Sequence, residues 1–359
     1  MRKLALIALV SLFFASRPAT ASDVVVSIPP LHALVQAVMG DTAEAELLLT
    51  GNRTPHDFQF KPSQIRALQD AKIVFYISPE LEISMMKAFN ILPASVKQVE
   101  MISISGLKLL PFRGGDNWAP HVHAEDNHKD HDAHDDHDKR DHAEHKHDEH
   151  EHKDHDHEKD HAKHDEHDHD KEHEAHAEKE HEHHHGDGHD HDPHLWLSPV
   201  NAKLMVHEIA HELAELFPEH AALYEANAEK LESELDGLKE ELDAVLAPVK
   251  EVPFLVLHDG YQYFETETGL TAVGSILVNP SVPPSVKRMQ EIQERVKETG
   301  TVCIFREPQF PDRIARTVAE GSGVKLGTLD PLGGSLDGSK NRYVEMMRKL
   351  AADLKACLS

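Results

Sequence analysis

Cysteine is scarce in this chain of 359 residues: there are two, Cys303 and Cys357, both near the carboxyl end. A lipid-anchored exported protein carries a cysteine at its cleavage point, so their position argues against that kind of anchor. Beyond the opening residues there is no apolar run of the roughly 20 residues that a membrane-crossing helix needs. Clusters of Lys and Arg are missing too, which argues against nucleic acid or an anionic lipid surface as a partner. Over residues 116–192 the chain has almost no apolar residue besides alanine, and such a segment buries too little surface to offset the entropy of ordering.

The chain opens with Arg2 and Lys3, an apolar stretch over residues 4–15, and Ala19-Thr20-Ala21 just before Ser22, the layout of a cleavable secretory signal. Cleavage after Ala21 is expected to release a soluble protein into a Gram-negative periplasm. That compartment is oxidising, so the two cysteines are expected to form one disulfide, Cys303 with Cys357, the alternative being two buried thiols. The formal charge of −27 is concentrated. Residues 116–192 hold 29 Asp and Glu against 9 Lys and Arg, and 25 of the 32 histidines lie between His121 and His191. This segment reads as a disordered insertion, and the rest of the chain is only mildly acidic.

Without the signal and the insertion, roughly 260 residues remain, enough for two domains. In the first part, strands are predicted over 23–28, 45–49, 72–77 and 96–102, alternating with helices over 30–39, 62–69 and 81–90. In the last hundred residues the rhythm recurs, with strands over 253–257, 271–276, 302–305 and 324–329 and helices over 286–297, 312–319 and 342–357. Alternation of this kind implies largely parallel sheets with helices on their faces. Between the two parts, Leu231, Leu235, Leu238, Leu242 and Leu246 recur at three- and four-residue steps, which predicts one long helix over 218–249. The expected organisation is therefore an amino-terminal α/β lobe over 22–217 that carries the insertion, a linking helix over 218–249, and a second α/β lobe over 250–359.

Three histidines outside the insertion border predicted strand ends or helix starts. His56 follows a strand in Thr54-Pro55-His56-Asp57-Phe58. His194 precedes a helix whose start is marked by Ser198 and Pro199, and His258 ends the strand Phe254-Leu255-Val256-Leu257. Open α/β sheets form their ligand crevices at such loops. Three imidazoles and one further position suit Zn²⁺, with Zn–N distances of about 2.0–2.1 Å. Asp330, at the end of the strand over 324–329, is the candidate for the fourth position.

Six ordered segments carry a resemblance. Pro55-His56-Asp57-Phe58, Asp192-Pro193-His194-Leu195-Trp196-Leu197-Ser198-Pro199, His258-Asp259-Gly260-Tyr261-Gln262-Tyr263-Phe264-Glu265, Val278-Asn279-Pro280, Glu307-Pro308-Gln309-Phe310 and Gly327-Thr328-Leu329-Asp330-Pro331-Leu332-Gly333 occur in the order seen in one family. The chain resembles the cluster-9 zinc and manganese solute-binding proteins of ABC importers, and among them the periplasmic zinc-binding subunits with a His-rich loop. The resemblance implies two Rossmann-like lobes bridged by a rigid helix. It also implies a metal in the cleft on His56, His194, His258 and Asp330, and delivery to a membrane permease driven by an ATPase. An accessory periplasmic zinc carrier is a further expected partner, and the protein is expected to act as a monomer. Manganese-selective relatives place a carboxylate where this chain has His258, and a nitrogen-rich donor set favours zinc. Some zinc members carry Glu before the first histidine; here it is Pro55, which leaves the fourth ligand open between Asp330 and a water. The His-rich insertion is expected to collect or buffer zinc at weaker sites, since every site on a mobile chain must lose entropy to form.

Two other readings compete. His207-Glu208-Ile209-Ala210-His211 matches the H-E-x-x-H pattern of zinc peptidases, with Glu208 as general base. However, Leu204, Met205, Ile209, Leu213 and Leu216 make the apolar face of this helix, and His207 and His211 stand about 200° from Ile209 and Leu213. Both histidines are therefore expected to face solvent. Phe217, at the spacing of a third metzincin ligand, is not a donor. The last alternative is a zinc-buffering or adhesion protein whose lobes mainly display the insertion.

Overall fold

Val24, Val25 and Val26 are buried on both sides, and a run of β-branched residues enclosed in this way forms the central strand of a parallel sheet. The computed structural model describes residues 22–113, 191–277, 279–336 and 341–359. The expected signal over 1–21 and nearly all of the expected insertion lie outside these residues. In the first lobe β1 (Val24–Val26), α1 (Pro29–Met39), β2 (Glu46–Leu47), α2 (Pro62–Asp70), β3 (Ile73–Tyr76), α3 (Ile83–Phe89) and β4 (Lys97–Glu100) alternate, and the strands pair in parallel in the order β2-β1-β3-β4. Two helices follow, α4 (Pro199–Leu216) and α5 (Ala221–Leu246). The second lobe comprises β5 (Phe254–His258), α6 (Gln262–Thr268), β6 (Ser275–Leu277), α7 (Val286–Glu298), β7 (Cys303–Arg306), α8 (Arg313–Ala319), β8 (Lys325–Thr328) and α9 (Arg342–Leu358). Its strand order, β6-β5-β7-β8, repeats that of the first sheet.

In both sheets the order reverses at the first strand, between β1 and β3 and between β5 and β7, and ligand crevices form outside the carboxyl ends of the strands at such points. In the first sheet this end is tied by Glu82, whose carboxylate accepts from Ser27 Oγ at 2.6 Å and from the amides of Ile77 and Ser78 at 3.0 and 2.9 Å. Burial pushes this carboxyl up to about 7 despite those three donors.

The two central strands of the second sheet, β5 and β7, are enclosed on both faces, with a period of two along each. Phe254, Val256, Cys303 and Phe305 face one core, whereas Leu255, Leu257 and Ile304 face another. The first of these cores runs without a break from the amino-terminal sheet through α4, α5 and α9. Helix α5 buries Leu231, Leu235, Leu238, Leu242 and Leu246, and it packs on α1 and α4 of the first lobe and α9 of the second. The linker is thus part of a shared core, and it joins the lobes stiffly. The expected single helix over 218–249 has 3₁₀ turns at Pro218–His220 and Ala247–Val249, where Pro218 and Pro248 deny the α ladder its donors.

Three further differences have local causes. Helix α6 has seven residues, too short for an apolar period to reveal it in the sequence. Strand β6 begins at Ser275, later than the predicted 271, just after Gly274. His191 and Asp192, the last residues of the expected insertion, are fixed against the first lobe: His191 bridges Pro111, and the Asp192 amide donates to Leu110 O at 2.8 Å. Cys303 and Cys357 are bonded to each other, tying the start of β7 to the last turn of α9.

Candidate metal site

The architecture brings His56, His194 and His258 together from three places in the chain. Each offers one ring nitrogen, and these atoms lie within 4.8 Å of one another, the only such group of three donors among the described residues. His258 is the last residue of β5, at the switch point of the second sheet. His194 stands at the head of the 3₁₀ turn Leu195–Leu197 that leads into α4. Trp196 in that turn donates from Nε1 to Pro331 O at 2.9 Å and accepts at its carbonyl from Tyr343 Oη at 2.6 Å, so second-lobe residues hold the turn. His56 lies in the loop between β2 and α2, its ring centroid 5.5 Å from that of His194 and 5.8 Å from that of His258.

The three rings are held differently. His194 Nδ1 is 2.7 Å from Asp192 Oδ1, and its backbone amide donates to the same oxygen at 3.0 Å. His258 Nδ1 is 2.7 Å from Glu307 Oε1. With Nδ1–H given to a carboxylate, each neutral ring turns its Nε2 lone pair inward, and the two Nε2 atoms are 3.3 Å apart. The His56 ring makes no hydrogen bond to any described residue, and its Nε2 is buried without a partner. Burial holds His56 well below 6.5, helped by repulsion from His194 and His258. Burial also acts to lower His258, but the charges of Glu307, Asp259 and Asp192 and the bond to Glu307 outweigh it, and the net shift is upward.

The rings line two spaces. A cavity of about 10 Å³ lies against Trp196, Phe310 and Leu332, room for one water-sized particle. A larger one of about 300 Å³ opens between Glu80, Ile83 and Phe112 of the first lobe and Asp259, Ser275 and Asn279 of the second. Gly260 is fitted to the site: a Cβ there would stand 2.6 Å from His258 Nε2 and 3.2 Å from His194 Cδ2.

Asp330 is not brought into this group. It is buried at the end of β8, and its oxygens serve its own loop and the loop after β7: Oδ1 accepts from Gln309 Nε2 at 2.8 Å and the Leu332 amide at 3.2 Å, and Oδ2 accepts from the Ser335 amide at 3.2 Å. His207 and His211 are exposed on α4, far round from its buried face, as the periodicity predicts; the His207 side chain is 78% exposed. Sequence reasoning missed the roles of Asp192, Glu307 and Gly260. For Glu307 the signal is the strand register. Phe254 pairs with Cys303 and Leu255 with Ile304, and the same offset carries His258 to Glu307.

Two parallel-sheet lobes, a stiff connecting helix and clustered histidine donors between the lobes define a two-lobed metal-binding solute receptor. Residues 24–357 match the family described as ZnuA, zinc-uptake complex component A, periplasmic, and the chain belongs to that family. The family's cargo is zinc, and its members are transport components. The chain is 37% identical over 336 residues to the high-affinity zinc uptake system protein ZnuA of Brucella suis biovar 1 (strain 1330), covering 94% of this chain and 91% of that one. It shares its fold with a crystal structure of ZnuA (TM-score 0.66, 23% identity, 95% of this chain and 100% of that one). A zinc-bound deletion mutant of ZnuA is similarly alike (TM-score 0.65, 23% identity, 95% and 99%).

Proposed function

We propose that this protein captures one Zn²⁺ between its lobes on His56, His194 and His258 and hands it to the permease and ATPase of an ABC importer. The observation that carries this reading is the pair of Nε2 atoms 3.3 Å apart, each ring committed to a carboxylate through its other nitrogen. Two lone pairs facing each other beside a third buried nitrogen repel unless a proton or a metal ion lies among them. Three nitrogen donors favour zinc over manganese. The fourth position belongs to a water or to Asp330, which would have to give up part of its loop bonding.

In this reading residues 1–21 are an export signal cleaved after Ala21, the mature chain works as a monomer in the periplasm, and an accessory zinc carrier delivers to it. Residues 22–217 form the first lobe, 218–249 the link and 250–359 the second lobe. The His-rich segment over 116–192 collects or buffers zinc at weaker sites. The protein is not an enzyme. The separation of His207 and His211 from the cleft cluster supports this, and changing both to alanine should leave one tight zinc equivalent intact, checked by calorimetry. Deleting residues 121–190 should remove the weak sites and spare the tight one, checked by the stoichiometry of the same titration.

Binding requires three neutral imidazoles. His258 is raised, so its proton begins to compete above pH 6.5, and affinity is complete only above its folded value. Below that value each unit of pH costs about tenfold for every proton displaced. Zinc affinity at pH 5.5 should therefore be at least about tenfold weaker than at 7.5, and an unchanged dissociation constant would contradict the assignment. The uptake role is tested in zinc-starved cells that lack the gene. The wild-type chain should restore growth, the triple change of His56, His194 and His258 to alanine should not, and the deletion of 121–190 should retain most of the effect. A buffering or adhesion role predicts the reverse.

A further inference from the structure

Asp192 and Glu307 are buried carboxylates on opposite sides of the cleft, and each faces one imidazole at 2.7 Å through Nδ1. Their settings are unlike in origin but equivalent in effect. Glu307 follows β7 and reaches His258 because the parallel register sets the two residues side by side across the switch point. Asp192 is fixed by its own backbone: its amide donates to Leu110 O at 2.8 Å, and its carbonyl accepts from Tyr263 Oη at 2.9 Å. The same Tyr263 hydroxyl accepts from the Leu110 amide at 3.1 Å, so a second-lobe side chain clasps the two strands of chain that frame the insertion. Among the described residues neither carboxylate forms an ion pair with Lys or Arg. The only basic groups they pair with there are the two histidines.

We propose that Asp192 and Glu307 are positioning residues, one for each lobe, which hold His194 and His258 in the Nδ1–H form with Nε2 presented to the metal. His56 has no such support and is the one ring free to settle onto an ion already held by the other two. The inference rests on the cleft reading above. A carboxylate behind a ligating imidazole fixes its tautomer and orientation and strengthens it as a donor, and losing such a partner typically costs about 10- to 100-fold in metal affinity.

The test compares full-length chains loaded with one equivalent of zinc: wild type, Asp192→Asn, Glu307→Gln, Glu307→Ala, and the triple alanine change of His56, His194 and His258. Retention against a competing chelator and the melting temperature with and without zinc are measured. Glutamine keeps the shape and an acceptor but loses the charge, so zinc retention should fall in the order wild type, Glu307→Gln, Glu307→Ala. Asp192→Asn should lose about 10- to 100-fold, with the metal-free melting temperature of the Asn and Gln variants close to wild type. A merely structural role would lower the metal-free melting temperature and leave the zinc-induced rise unchanged, and that result would overturn the proposal. So would wild-type retention in the Asp192 and Glu307 variants while the triple change loses zinc. If the triple change itself holds zinc as tightly as wild type, the cleft reading fails, and this proposal fails with it.

Discussion

Replacing His56 by alanine should weaken zinc binding by roughly two to three orders of magnitude while leaving the metal-free protein as stable as before. Zinc sites with four protein ligands have apparent binding free energies of about 10–16 kcal/mol, so one ligand accounts for about 3–4 kcal/mol. At about 1.4 kcal/mol per decade this gives the stated loss. His56 is the cleanest of the three positions for such a test. Its ring has no hydrogen-bonding partner among the described residues, so its removal strands nothing. Alanine at 194 or 258 would leave the buried carboxylate of Asp192 or Glu307 without its imidazole and so disturb folding together with binding. Competition titration gives the affinity and thermal unfolding gives the stability. A large loss of both would mean that the loop around His56 holds the fold, and the loss of neither would remove His56 from the site.

The second large effect is expected at the disulfide. Changing Cys303 and Cys357 to alanine should lower stability by about 4 kcal/mol, since the bond closes a chain separation of 54 residues. For a protein of this size that corresponds to a melting temperature lower by roughly 8–16 °C. Cys303 stands at the start of β7, the end away from Glu307, and Cys357 is on α9, outside the site. The variant should therefore still take up one tight zinc equivalent at temperatures where it is folded. An unchanged melting temperature would show that α9 is fixed to the second sheet by packing alone. Loss of zinc binding in the folded variant would show that the bond also holds the carboxyl end of β7 in place.

Much of this architecture is legible in the residues for physical reasons. Strands enclosed on both faces must be apolar throughout, so Val24-Val25-Val26 and Phe254-Leu255-Val256-Leu257 stand out in the sequence. Helix α5 is marked by leucines that repeat at the pitch of the face they bury. Helix α6 is not marked, because in seven residues Tyr263, Phe264, Glu265 and Thr268 are all buried and polar and apolar positions do not separate. The histidines at 56, 194 and 258 can be picked out one by one as loop and strand-end residues, but their convergence depends on how the lobes pack. Local sequence does not record that packing, and the family resemblance supplied it. Asp330 shows the converse: it stands at a strand end as expected, yet its oxygens serve the turn that follows. Glu307 is legible through register: pairing β5 with β7 sets it beside His258.

The central claim is that one zinc ion is held by His56, His194 and His258. It is tested most directly by anomalous scattering at the zinc edge from crystals of the chain lacking residues 121–190 and loaded with one equivalent of zinc. The account predicts a single strong peak about 2.0–2.1 Å from one nitrogen of each of the three rings. A peak beside His207 and His211, or one that lies on fewer than all three cleft rings, would contradict it.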